Sequence, residues 1–429
     1  MNDYQHPVNL NLNVRGLPVS ATLAINELSN QLIRDGKKIY KLGLGQSPFP
    51  VEKSVVEALK ANAHQKNYLP VKGLDPLRET VADYYNKTQK LDFKKEDILI
   101  GPGSKELMFL MQLVHHGDLL IPSPSWVSYA PQAKILGHNV FWIETDSKNK
   151  WILSPDALDQ LCVKDKSRPR IIIINYPNNP TGYSYDPDTL KDIAHIARKY
   201  GVIILSDEIY GELEYKGRHV SIAQFYPEGT IISGGLSKWC GAGGWRLGVF
   251  AFPSKLKWLL DAMASVASET FTSTSAPIQY AAVTAYTGGP HIDQYLQQSR
   301  RILDALSTYA VNILRSTGIE IEYPDGGFYL FPDFSNLRDK IEKNNIYNSE
   351  DLCSKILEDI GVAMLPGTMF GRPKEELSLR ISCVDFDGTK ALAAAQHTAS
   401  DKSLNDNFLN RYCCNVTKAI SKIKNWLEK

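Results

Sequence analysis

The chain has 429 residues, 43% of them hydrophobic and 22% charged, with a formal net charge of +1 at pH 7. That length predicts two or three structural units with ample apolar core, and the near-neutral balance gives no electrostatic reason to expect nucleic acid or a membrane surface as partner. No apolar run approaches the roughly 20 residues that cross a bilayer. The opening "MNDYQHPVNLNLNV" lacks the basic-then-apolar build of a signal peptide, and six cysteines without a CxxC pair fit a reducing, cytoplasmic setting.

From about residue 97 to 250, short apolar runs alternate with amphipathic segments: "DILIG", "DLLIPS", "NVFWIET", "RIIIINYP", "GVIILSDEIY", "GTIISGG" and "RLGVFAF". "RIIIINYP" and "GVIILSDEIY" are continuously apolar, as befits strands covered on both faces. Between them "DPDTLKDIAHIARKY" reads as a helix, with Asp186 at its cap and Gly201 just past its end. This rhythm predicts an α/β fold with a mostly parallel, seven-stranded sheet. After "STSAPIQYAAVTAYTGG" the pattern changes. A long helix is predicted over roughly 290–317, and "IEIEYPDGGFYLFPDF" reads as a hairpin or strand pair. Helices with one short strand, "LSLRISCV", follow, and "DKSLNDNFLN" (401–410) reads as a polar loop before the terminal helix. The expected division is a large domain over 51–295 and a smaller α+β domain over 296–429, the latter joined by an N-terminal segment, 1–50.

In a parallel α/β sheet, ligands bind at the carboxyl ends of the strands. Four predicted strand ends here carry polar groups that are expensive to bury unpartnered. "RIIIINYPNNPTG" ends at Asn178 and Asn179, "GVIILSDEIY" at Asp207 with Tyr210 three on, "GTIISGGLSK" at Ser237 and Lys238, and "DILIGPGSKE" at Gly103, Ser104 and Lys105. Taken singly, Asn-Pro-Thr-Gly is an ordinary turn and Asp207 an ordinary helix cap. "GPGSKE" has neither the spacing of a nucleotide-triphosphate loop nor the third glycine of a dinucleotide fingerprint, which leaves a helix start suited to one phosphate. No cluster with metal-ligand spacing occurs; His115 and His116 are merely adjacent. Together the groups ask for one ligand: a phosphate for the helix start and Arg246, a polar aromatic ring for Asp207, Asn179 and Tyr210, and an electrophile for Lys238. Pyridoxal 5'-phosphate meets all three demands.

Over nearly its whole length the chain resembles the class I/II aminotransferases of the fold-type I pyridoxal-phosphate enzymes. The matching segments are "NYLPVKGLDPLRE", "GPGSKE", "PSPSWVSYAP", "NYPNNPTG", "SDEIYGEL", "GGLSKWCGAGGWRLG", "GGFYLF", "LPGTMFG" and "LSLRIS", in that order. The resemblance implies that Lys238 bonds the cofactor covalently and moves the proton, that Asp207 pairs with the pyridine nitrogen, and that Asn179 and Tyr210 contact the ring oxygen. It implies that Trp126 stacks on the ring and that Gly103, Ser104, Lys105, Ser237 and Arg246 surround the phosphate. Gly235 stands where many relatives carry a phosphate-binding hydroxyl. Tyr68 matches a tyrosine that reaches the neighbouring subunit's phosphate, which implies a homodimer. Arg380, with Gly45, Trp126 and Asn179, would hold the substrate carboxylate. The activity implied is ping-pong transfer of an amino group from an L-amino acid (aspartate, glutamate or aromatic) to a 2-oxo acid. A carbon–sulfur β-lyase is the alternative within this fold, and a non-catalytic cofactor-binding regulator the reading from a different class. "SETFTSTSAPIQ" holds no arginine of the kind by which some relatives bind a distal carboxylate, while "LPVSATLAINELS" resembles a segment by which another branch reads acidic side chains.

Overall fold

A computed structural model of the protein describes residues 9–399 and 403–429. Its centre is a seven-stranded sheet made of the seven runs anticipated above: β1 (Ile98–Gly101), β2 (Asp118–Ser123), β3 (Val140–Glu144), β4 (Arg170–Asn175), β5 (Ile203–Asp207), β6 (Thr230–Gly235) and β7 (Gly248–Ala251). The spatial order is β1-β7-β6-β5-β4-β2-β3. Only β7 runs antiparallel to its neighbours, so the carboxyl ends of the other six share one edge.

Continuous apolar runs make these strands because both faces are covered. In β4, Ile172 and Ile174 pack with Leu190, Ile193 and Ala194 of the helix Pro187–Tyr200. The alternate residues Ile171 and Ile173 pack on the opposite face with Leu107 and Met111 of the helix Ser104–Val114. Each such isoleucine contributes about 1.5–3 kcal/mol by leaving water. The helix Pro187–Tyr200 begins where Asp186 accepts from the N–H groups of Asp188 and Thr189 and stops at Gly201 in the left-handed conformation, as its sequence predicts.

Beyond the sheet, the helix Pro290–Arg315 follows the helix Ala276–Thr287 across Gly288 and Gly289. Strand Tyr40–Lys41 pairs in parallel with Val362–Ala363, tying the N-terminal segment to the C-terminal part of the chain.

Two expectations need correction. The stretch 319–334 is not a regular hairpin. Its one strand, Tyr329–Leu330, pairs instead with Leu379–Ser382, and a single bridge joins Glu320 to Asp333. Pro324 and Pro332 offer no N–H to a ladder, and the N–H groups of Asp325 and Gly326 donate to Gly182 of the sheet domain's loop. The predicted loop 401–410 lies partly outside the described residues, and its second half is helical. Asn405 caps the helix Asp406–Tyr412 by accepting from Phe408 N–H, and Leu409 is buried.

Candidate active site

The shared carboxyl edge opens on a cavity of about 590 Å³. β5 delivers Asp207 to its floor, registered between Asn175 of β4 and Ser233 of β6. Asp207 is buried, and its carboxylate accepts from the Tyr129 hydroxyl at 2.5 Å and, at 3.4 Å each, from Ile209 N–H and Ser233 Oγ. Burial pushes its pKa up to about 6, against the opposing pull of these donors and of the Lys238 charge. Asn175 locks the neighbouring turn: its amide donates to the Asp207 carbonyl at 2.8 Å and its oxygen accepts from Asn179 N–H at 2.7 Å.

Lys238 lies three residues past the end of β6 and projects into the same cavity. Its ammonium donates to the Gly45 carbonyl at 2.8 Å and sits over the rings of Tyr210 and Phe328. Burial, with Arg380, Arg246 and Lys105 nearby, lowers its pKa to about 8, only partly offset by Asp207. At Gly235 a Cβ would meet the Leu247 carbonyl at 2.7 Å. The close approach of β7 therefore leaves no room there for a hydroxyl-bearing side chain.

The helix Ser104–Val114 points its N-terminus at the cavity, with Gly103 as its cap residue at φ 95°. A Cβ on Gly103 would lie 2.0 Å from an Arg246 nitrogen, so this glycine admits the guanidinium. Among the described residues Arg246 donates only to the carbonyls of Gly243 and Pro102. Lys105 lies 5.0 Å from the Trp126 ring centroid, and burial and Arg246 lower its pKa. Ser104, Ser237 and Trp126 line the cavity.

At the far wall Arg380 is wholly buried between the rings of Tyr329 and Phe370. It donates to Asn179 Oδ1 at 3.1 Å and to the Gly43 carbonyl, while among the described residues its Nε has no partner and no carboxylate pairs with it. Tyr210 and Tyr329 join hydroxyls at 2.9 Å. A Cβ on Gly45 would overlap the Tyr329 hydroxyl at 1.8 Å.

The structure thus brings together every site residue expected from the sequence except Tyr68, which is 90% exposed and outside this cavity; Gly103 underlies the wall rather than lining it. Asn175, Tyr129 and Tyr329 join the site unannounced. Tyr129 was signalled only by its place one helical turn after Trp126. Thr22, Leu23 and Gln46 add neutral groups to the lining.

Known proteins share this construction. A family profile described as "Aminotransferase class I and II" matches residues 37–395. The chain belongs to this family. An aspartate aminotransferase of Geobacillus stearothermophilus is 34% identical over 370 residues, covering 84% of this chain and 91% of that protein. An aspartate/prephenate aminotransferase of Thermus thermophilus is 29% identical over 366 residues, covering 84% and 91%. A solved aspartate aminotransferase from Thermus thermophilus with maleate superposes with a TM-score of 0.82 at 27% identity, covering 98% of this chain and 100% of that one. The protein is a pyridoxal-phosphate-dependent aminotransferase of fold type I, acting between amino acids and 2-oxo acids.

The residues present fit that cofactor. Four cations (Lys105, Lys238, Arg246, Arg380) face a single acid, Asp207, across the cavity. Arg380 is buried and Lys238 half-buried, while Lys105 and Arg246 stand at the exposed mouth. A buried cation without an acid partner is costly unless an anion joins it, and a carboxylate at Arg380 with a phosphate at the mouth supplies that charge. Among the described residues no helix is long and apolar enough to cross a membrane.

Proposed function

We propose that this aminotransferase takes L-aspartate as amino donor, with the roles below for its side chains. The observation that carries the carboxylate site is Arg380, a buried guanidinium whose Nε lacks any partner. It would hold the substrate's α-carboxylate in a forked pair. The donor assignment draws on the names of the relatives and on the small polar groups at the mouth, Thr22 and Gln46, suited to a short polar side chain.

The bound cofactor supplies an electron sink for the charge left at the substrate's Cα. Asp207 would keep the pyridine nitrogen protonated, and Trp126 would cover the ring. Tyr210 and Asn179 would donate to the ring oxygen, with Asn179 also orienting Arg380. Gly103, Ser104, Lys105, Ser237 and Arg246 would bind the phosphate at the helix N-terminus. Lys238 would take the proton from the substrate's Cα as general base and deliver it, as general acid, to the cofactor's aldehyde-derived carbon rather than back to Cα. Its lowered pKa places both protonation states within reach near neutrality. The exposed Tyr68 would reach the phosphate of a partner subunit in a homodimer, with Gly45 offering backbone contact to the substrate carboxylate. The same reading divides the chain at about residues 50 and 295 and, from its six free cysteines, places it in the cytoplasm.

The test is a half-reaction followed by absorbance. Aspartate should convert the lysine-bound cofactor band to the pyridoxamine-type band, with phenylalanine and glutamate slower. Conversion by phenylalanine alone would overturn the donor assignment, and release of pyruvate and ammonia from a β-thioether amino acid such as cystathionine would indicate lyase chemistry.

A second expectation concerns Tyr129. Its hydroxyl lowers the Asp207 pKa, so Tyr129→Phe should raise that pKa further above 6. Protonated Asp207 cannot balance a pyridinium. As pH falls, cofactor retention should therefore fail at a higher pH in the variant than in the wild type, with a loss of about 10–150-fold in affinity, the equivalent of the roughly 1.5–3 kcal/mol of a hydrogen bond to a charged group. Cofactor dissociation measured across pH 5–8 checks this, and coincident profiles would refute it.

A further inference from the structure

A second cavity, of about 860 Å³, lies outside the active site, between the helices Asp75–Gln89, Ala276–Thr287 and Pro290–Arg315. Its walls include four aromatic side chains: Tyr84, Tyr85, Trp239 and Tyr286. Tyr286 meets Tyr84 edge-on at 5.4 Å and Trp239 at 6.0 Å, and Tyr84 meets Tyr85 at 5.1 Å. The Tyr286 side chain is buried, and its hydroxyl has no hydrogen-bond partner.

The charge has the opposite sign to that of the active site. Asp83, Glu208, Glu212 and Asp293 line the cavity against Lys87 and Arg300, with one histidine, His219. Glu208 pairs with His219 at 2.8 Å and Glu212 with Arg300 at 2.6 Å. That leaves Asp83 and Asp293, on two different helices of the lining, with Lys87 as the one cation of the lining that has no ion pair among the described residues.

We propose that this cavity binds an organic ammonium cation, of the quaternary or alkylated type. Aromatic faces attract such a cation through their quadrupoles, the two free carboxylates supply the counter-charge, and the Tyr286 hydroxyl supplies a polar contact that the protein itself leaves open. A metal ion is the poorer occupant, because no three His, Cys, Asp or Glu side chains among the described residues converge to hold one. An anion meets an excess of carboxylates.

The site is placed to report on its surroundings. Its floor includes Gly234 and Gly235 of β6, the strand that leads to Lys238, and the Tyr85 hydroxyl packs against Gly234 closely enough that a Cβ there would meet it at 2.5 Å. Glu208 is next in sequence to Asp207. At the rim, Gly288 (φ 74°) and Gly289 (φ 121°) join the two helices in backbone conformations that favour glycine.

The experiment is calorimetric titration of the cofactor-loaded enzyme with tetramethylammonium chloride, against sodium chloride at equal ionic strength. This probe cannot condense with the cofactor's aldehyde. One saturable site per chain is expected for tetramethylammonium and none for sodium. Asp83→Asn and Asp293→Asn, both at exposed positions, should each weaken binding about threefold and leave basal transamination unchanged. Tyr286→Leu should weaken it by about tenfold. Absence of a saturable heat overturns the proposal. So does undiminished binding in the doubly substituted Asp83→Asn, Asp293→Asn protein, whose two changes lie at exposed positions and leave the aromatic wall in place.

Discussion

Replacing Lys238 with alanine should lower transamination by at least about 10⁴-fold, since general acid–base transfer alone contributes about 10²–10⁴ and the covalent anchor is lost with it. The fold should survive. Lys238 is held by one hydrogen bond to the Gly45 carbonyl and lies in a cavity rather than in packed core, so its removal leaves little unsatisfied. The near-visible band of the lysine-bound cofactor should disappear, while phosphate contacts at Arg246 and the helix start still retain free cofactor. The lowered pKa adds a pH signature. Only neutral lysine bonds an aldehyde, and a pKa of about 8 leaves roughly one-tenth of Lys238 neutral at pH 7, against fewer than about one in a thousand for a lysine near 10.4. Because the folded-state pKa is depressed, the reactive form grows as pH rises and levels off above about 8. The rate at which cofactor-free wild type regains its band should follow that curve. A flat rate between pH 6 and 9 would remove Lys238 as the group that titrates, and a band retained in Lys238→Ala would remove it as the anchor.

Why this lysine was legible and its neighbours were not follows from how each is encoded. β4, β5 and β6 are runs of consecutive apolar residues, and a run covered on both faces announces itself locally. The polar residue that ends such a run stands out for the same reason, which is how Asn179, Asp207 and Lys238 could be read. Tyr129 gives no such signal. It carries an ordinary aromatic at helical spacing from Trp126, and its importance arises only when β2 and β5 bring its hydroxyl to Asp207 across 78 positions of chain. Tyr329 is equally silent, because its role depends on Gly45 having no side chain. The failed hairpin has the same origin. The N–H groups of Asp325 and Gly326 are claimed by Gly182, a partner no local pattern names. The helix at Asp406–Tyr412 is a different case: Asn405 followed by Asp406 is a cap signal that the polarity of the segment obscured.

Arg380→Lys should lower kcat/KM by about 10²–10³, the equivalent of the roughly 3–4 kcal/mol lost when one member of a buried, hydrogen-bonded charge pair is replaced poorly. The loss should fall mainly on KM, for the amino acid and the 2-oxo acid alike, since both present a carboxylate to the same group. Arginine and lysine differ here in geometry more than in charge. The guanidinium already spends one nitrogen on Asn179 Oδ1 and another on the Gly43 carbonyl while its Nε stays open. A lysine ammonium offers donors from a single atom and cannot keep both protein contacts and a two-point hold on a carboxylate. The rings of Tyr329 and Phe370 on either side fit a flat group and leave a lysine loosely placed. The lysine-bound cofactor band should be unchanged, which separates this defect from that of Lys238→Ala. An amine without an α-carboxylate supplies the control: its slow reaction with the cofactor should be the same in wild type and variant, because the interaction removed was never available to it. Equal losses for that amine and for aspartate would mean that Arg380 shapes the cavity rather than holding the carboxylate. An unchanged KM for aspartate would move the carboxylate site elsewhere in the cavity.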